Sequence, residues 1–227
     1  MARAATGQAA EQAREQATMR RAARGRRGGF TLIEVLAVLA ILGLLMSLAI
    51  YYFGRQKEQG YVAKTSATIA ELEILITSYE TKKGGPPPCT LAPLKIRADN
   101  DLNEGAEALF AALHSKSYPE GSNVREEGLA NTDGDSTATL YHRDAGVSQL
   151  LEVVDGWGNP IAYFTPDSYG KEGRYLMGDP ADPGDPEQRV IAQKSEKTGA
   201  WANADRFQLI SAGSDRLFGT EDDVTNF

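Results

Sequence analysis

The chain of 227 residues contains one cysteine, two histidines and two tryptophans. A lone cysteine, Cys89, excludes an intrachain disulfide and a zinc site built on several thiolates, and its place beside Pro86, Pro87 and Pro88 makes it an incidental thiol in a loop. His114 falls in a short helical pattern and His142 in TLYHRD, and neither is accompanied by the serine or cysteine arrangement of a nucleophile. Catalysis is therefore not expected. No internal repeat is present, which excludes solenoid architectures.

Positive charge is scarce outside the N-terminus. The formal net charge is -7, yet residues 1–29 hold seven arginines against Glu11 and Glu15, leaving 17 basic and 29 acidic side chains in the rest of the chain. Such an acidic body excludes nucleic acid as a partner, because that affinity comes from Lys and Arg on phosphates, and it suits divalent cations better.

What is present in abundance is one apolar run. From Phe30 to Phe53 the polar interruptions are Thr31, Glu34 and Ser47, and about 20 such residues cross a hydrocarbon core as a helix. The arginines ahead of it stay cytoplasmic by the positive-inside rule, which sends the body across the membrane. A secretory signal peptide has a shorter apolar core and ends in small residues, whereas this run ends in Tyr51, Tyr52 and Phe53. A carboxylate in such a run costs about 2.5–3.5 kcal/mol at the helix centre and less near an interface, so Glu34 needs a partner.

The stretch GGFTLIEVLAVLAILGLL resembles the class III signal of type IV pilins and type II secretion pseudopilins. The resemblance implies cleavage by a prepilin peptidase between Gly29 and Phe30, methylation of the new amine, and a mature chain of residues 30–227. Glu34 would then neutralise an N-terminal amine, its own or that of a neighbouring subunit, and so guide assembly. The leader is longer than this family usually needs, and Met19 would open a shorter one, MRRAARGRRGG. The family often has a proline just past the membrane core; here the chain reads AIYYFGRQ.

The domain plan that follows is a leader over 1–29, a transmembrane and filament-core half-helix over 30–53, and a head over 54–227 that includes the outer half-helix, about 54–83. Val62, Ile69, Leu72, Ile76 and Tyr79 form an apolar stripe on that outer half, and Gly84, Gly85 and the prolines end it. NEGAEALFAALHSK predicts a second helix over 104–115 with Asn103 as N-cap. NPIAYFTP and RFQLISAG, with the weaker RYLM and QRVIAQK, are strand candidates for a small antiparallel sheet on the stripe. The predicted class is α+β and pilin-like. GDPADPGDPEQ, residues 178–188, reads as an exposed loop, and residues 119–145 and 167–204 as insertions relative to compact members of the family.

Two further motifs narrow the resemblance. DGWGNPIAY, residues 155–163, is similar to the D-P-W-G-N-P stretch of the major pseudopilin of type II secretion, with Gly156 in place of proline. Its order of residues is a turn that buries an indole, Trp157, as a core anchor and launches a strand. SAGSDRLFGTEDDVTNF, residues 211–227, resembles the calcium-binding end of that pseudopilin, which implies calcium at Asp215, Asp222 and Asp223 with Glu221 as an alternate, although Leu217 and Phe218 stand where the family often has glycines. Calcium takes six to eight oxygens, which a tight acidic loop supplies. NTDGDST, residues 131–137, has three oxygen-bearing side chains around Gly134 but lacks the spacing and closing glutamate of an EF-hand, and it reads as a polar turn in preference to a second calcium site.

The expected protein is a filament subunit with no enzymatic activity. It is held in the inner membrane by a single span with its head in the periplasm, and its partners are the peptidase, other copies of itself, other pseudopilins and the inner-membrane assembly platform. A type IV pilin, a minor pseudopilin or a single-span membrane-anchored binding domain are the alternatives.

Overall fold

The computed structural model describes residues 29–115, 118, 128–137, 149–178 and 187–227. Most of the leader, His142, most of the 119–145 segment and the centre of GDPADPGDPEQ lie outside these. The chain divides into two compact units between Tyr52 and Phe53.

Helix α1 spans Leu32–Lys83. In the N-terminal unit its first part, Leu32–Ile50, is long and apolar enough to cross a membrane, and its leucines, isoleucines and valines are exposed. The helix ends as the glycines dictate: Gly84 takes a left-handed φ of 82° that suits glycine, and its N–H donates to the Glu80 carbonyl at 2.8 Å.

In the C-terminal unit, Ile69, Leu72 and Ile76 of α1 are buried against Leu109, Phe110 and Leu113 of helix α2, Glu104–Leu113. The same core takes Ile161, Tyr163, Phe207 and Leu209 from an antiparallel sheet of β3 (Ala162–Phe164), β6 (Gln208–Ser211) and β7 (Val224–Thr225), in the order β3-β6-β7. Two more antiparallel ladders join β1 (Leu129–Ala130) to β2 (Glu152–Val153) and β4 (Gly173–Leu176) to β5 (Glu187–Val190). The result is the expected α+β, pilin-like arrangement, with three small ladders among the described residues instead of one sheet. The β4–β5 hairpin lies in the segment read as an insertion, and it builds core: Tyr175, Met177 and Val190 pack with Ala106, Ala162 and Ile210.

Three expectations change. Val62 is exposed, and Thr65 occupies the buried face in its place. Asn103 sits at the start of α2 but does not cap it. Its φ of 53° turns the side chain inward, where Nδ2 donates to Thr132 Oγ1 and Glu152 Oε1, both at 2.9 Å, and Oδ1 accepts the Leu176 N–H at 2.9 Å. Trp157 is only half-buried. Its ring lies 5.8 Å from that of Tyr61 on α1, so it covers the helix surface and does not enter the core.

The turn that carries Trp157 is organised by the buried Asp155. Its Oδ1 accepts the N–H groups of Trp157 and Asn159, both at 2.9 Å, and its Oδ2 accepts Ser211 Oγ at 2.7 Å, tying the turn to β6. Burial raises the pKa of Asp155 against the lowering effect of these donors. Next to it, Gly156 comes so close to α1 that a Cβ would lie 2.5 Å from the Tyr61 carbonyl oxygen, and its N–H donates to Thr65 Oγ1 at 2.8 Å.

Burial decides what substitutions cost. Ile76→Ala should lower the unfolding free energy by about 3 kcal/mol and Val62→Ala by under about 0.5 kcal/mol in denaturant titrations followed by tryptophan fluorescence. Equal losses would contradict this burial pattern.

Candidate functional site

Two of the sequence-predicted sites are described. At the N-terminus, Gly29 and Phe30 precede α1 and both are exposed. Glu34 does not stand free one turn further in. Its Oε2 accepts the Thr31 N–H at 2.8 Å and Thr31 Oγ1 at 2.7 Å, while Thr31 Oγ1 faces the Glu34 N–H at 3.4 Å. This is a reciprocal capping box, in which an N-terminal hydroxyl and an acid three residues on satisfy each other's backbone donors. Thr31 is thus the hydrogen-bond partner of Glu34, and the T-x-x-E spacing is the sequence signal for it. Glu34 Oε1 takes no hydrogen bond among the described residues.

At the C-terminus, residues 212–223 fold into a loop between β6 and β7 that is closed by its own donors. Asp222 Oδ2 accepts the Ser214 N–H at 2.7 Å, Ser214 Oγ at 2.8 Å and the Asp215 N–H at 3.0 Å, and its Oδ1 accepts Thr220 Oγ1 at 2.6 Å. Burial would raise the pKa of Asp222, but the Thr220, Ser214 and Asp215 donors prevail and bring it down to about 2. Asp215 turns to its own loop, where Oδ1 accepts the Leu217 N–H at 2.8 Å. Asp223 Oδ2 accepts the Gly219 N–H at 2.8 Å and Gln193 Nε2 at 2.6 Å, while its Oδ1 is buried without a partner. Burial raises the pKa of Asp223.

The β4–β5 hairpin and the chain after it hold this loop. Phe218 packs on Tyr175 at 5.7 Å and donates its N–H to Gln188 Oε1 at 3.2 Å, and Gln188 Nε2 in turn donates to the Arg216 carbonyl. Phe218, out of place in a glycine-rich loop, is therefore the loop's anchor, and Gln193 supplies a donor to Asp223 that no motif foretold.

The three loop acids do not converge. Among the described residues the one trio of acidic side chains that brings one oxygen from each within 4.8 Å of the others is Glu107, Asp133 and Asp135, and it lies elsewhere, between α2 and the turn over 131–137. The turn itself forms as read: Asn131 Oδ1 accepts the Gly134 N–H at 2.8 Å, and Asn131 Nδ2 donates to the Asp135 carbonyl at 2.7 Å. The grouping with Glu107 is long-range, and neither motif nor spacing signals it. His114 lies with its ring 4.0 Å from that of Phe110 at the end of α2.

Against known proteins, the family described as the prokaryotic N-terminal methylation motif matches residues 24–50. The chain is similar to the type II secretion system core protein G of Aeromonas hydrophila, 28% identical over 67% of this chain and 83% of that protein. It is likewise similar to those of Escherichia coli K12, 23% identical over 88% of this chain and 90% of that protein, and Pseudomonas aeruginosa, 23% identical over 68% and 85%. No solved structure matches the chain.

The loop's bonding sets unequal roles for its acids. Asp222→Ala should speed hydrogen exchange at the Ser214 and Asp215 amides about tenfold, whereas Asp215→Ala should leave them nearly unchanged. Because the folded pKa of Asp222 is depressed from 3.8 to about 2, the wild-type protection should be complete above about pH 4 and fade as pH falls through about 2.

Proposed function

We infer that this chain is a pseudopilin, a structural subunit of a type II secretion pseudopilus. The observation that carries the reading is the methylation motif over residues 24–50 laid on an apolar helix that opens at a capped Thr31, with similarity to core protein G continuing through the head. The alternatives of a type IV pilin, a minor subunit or a plain membrane anchor have no comparable support.

In this reading a prepilin peptidase cuts between Gly29 and Phe30 on the cytoplasmic side, and the Phe30 amine is methylated. The subunit waits in the inner membrane as a single span with residues 54–227 in the periplasm. It then leaves the lipid for a filament, assembled with other copies, with other pseudopilins and on an inner-membrane platform. Its work is mechanical and not catalytic.

The capping box supports a specific division of labour at Glu34. Oε2 satisfies the first turn of the subunit's own helix, and Oε1 is available to the positively charged amine of a neighbour. In a low-dielectric filament core an uncompensated carboxylate is expensive, so insertion out of register is rejected.

Calcium at the terminal loop belongs to the same proposal. The donor set of carboxylates and carbonyls suits a hard cation. The buried, unpartnered Asp223 Oδ1 is the open position, whereas Asp222 is already occupied by loop donors, so Asp223 would contribute most and Asp215 and Asp222 would follow.

Processing and assembly separate the roles. Gly29→Ala should accumulate as uncleaved, unassembled precursor on immunoblots and in sheared filament fractions. Glu34→Gln keeps an acceptor for the capping box but loses the charge, and should be cleaved normally yet fail to assemble. Normal filaments from Gly29→Ala would overturn the reading, and normal filaments from Glu34→Gln would reduce Glu34 to a helix cap.

A further inference from the structure

The acidic trio lies away from both the terminal loop and the N-terminal motif. Glu107 lies in the first turns of α2 and is 1% exposed, and Asp135 on the facing turn is 4% exposed. Both oxygens of Glu107, both of Asp135 and Oδ2 of Asp133 are buried without any hydrogen-bond partner. The three side chains each bring one oxygen to within 4.8 Å of the other two. Apart from Asp223 Oδ1, the other buried carboxylate oxygens among the described residues have neutral donors. The adjacent Glu152 shows how: its Oε1 accepts Asn103 Nδ2 at 2.9 Å and Thr132 Oγ1 at 3.2 Å, and its Oε2 accepts the Thr132 N–H at 3.1 Å. No Lys or Arg among the described residues forms an ion pair with any of the four acids.

Three carboxylates facing one another out of water are strongly unfavourable unless a positive charge joins them. We propose that Glu107, Asp133 and Asp135 form a binding site for a divalent cation of the calcium type, separate from the terminal loop. An all-oxygen donor set selects a hard cation over zinc or copper. Five open carboxylate oxygens, to be completed by carbonyls or water, suit the six to eight ligands of calcium. Magnesium is held through one or two carboxylates and keeps most of its water. The polar-turn reading of residues 131–137 is thereby extended: Asn131 and Gly134 shape the turn, and Asp133 and Asp135 are presented by it to an acid 26 and 28 residues earlier in the chain. The ion would cross-link α2 to that turn.

The competing occupant is a proton shared between Glu107 and Asp135, and the two are distinguishable. The full chain in detergent, dialysed to equilibrium against calcium chloride, should retain calcium, counted by atomic absorption. Glu107→Gln and Asp135→Asn should each lose one equivalent per chain, while Asp223→Asn, in the terminal loop, should keep that equivalent. In chelator, Glu107→Gln should melt at or above the wild-type temperature because it relieves repulsion between carboxylates; in calcium it should melt below wild type. If Glu107→Gln does not fold, Asp135→Asn gives the same reading from the opposite side of the site. Unchanged calcium content in both trio variants, or a wild-type chain whose calcium is lost entirely in Asp223→Asn, would overturn the site and leave the shared proton as its occupant.

Discussion

A carboxylate withdrawn from water must be given donors or a cation, and much of this structure is arranged around that requirement. Asp155 collects two backbone N–H groups and a serine hydroxyl, and in doing so fixes the turn before β3 and ties it to β6. Asp222 collects four donors and closes the terminal loop. Glu152 takes Asn103 and Thr132, and this demand explains why Asn103 abandons the helix cap its position suggests. Glu34 at the N-terminus is exposed, and Thr31 supplies it with two donors as well. Protein donors are missing at the five buried oxygens of the Glu107 trio and at Asp223 Oδ1.

The rule also connects the head's parts that sequence comparison would treat as dispensable. The 167–204 segment looks like an addition to a compact pilin-like head, yet Tyr175, Met177 and Val190 complete a second hydrophobic cluster. Gln188 and Gln193 then reach from that segment to the terminal loop. Phe218 on Tyr175 and Gln193 on Asp223 supply packing and a donor, so the loop is closed by the protein's own contacts.

What the sequence made legible follows the range of the interactions. The end of α1 was readable because Gly84, Gly85 and three prolines act locally. The strands around Tyr163 and Leu209 were readable because β-branched and aromatic residues run between turn formers. The two-residue strands β1, β2 and β7 carry no period that a pattern could detect, and β5 takes in Glu187 and Gln188, the last two residues of the proline-rich segment expected to be an exposed loop. Val62 fits the stripe by spacing alone, but the face of a helix that is buried depends on what packs there, and Gly156 brings the turn against Tyr61 and Thr65. Of the candidate sites, the acids at the two ends fall in short local motifs, while their hydrogen-bond partners Thr31 and Gln193 come from outside what those motifs single out. The trio was out of reach, since it depends on how α2 meets a turn more than twenty residues away.

The exchange of proline for glycine at position 156 shows how a departure from a motif can itself be explained. In the D-P-W-G-N-P pattern the second residue has no N–H and carries a ring. Here that position approaches α1 so closely that even a Cβ would collide with the Tyr61 carbonyl, and its N–H is bonded to the buried Thr65 hydroxyl. Thr65 has already spent its own proton on the Tyr61 carbonyl at 2.9 Å, so its oxygen is free to accept. A valine at 65 would leave the Gly156 N–H without an acceptor, and a proline at 156 would remove the donor and push the turn off the helix. Glycine at 156 and threonine at 65 are therefore one device. It lets the turn sit flush on α1, and Trp157 then lies across Tyr61 at the helix surface because the backbone beneath it has no room to send the indole inward.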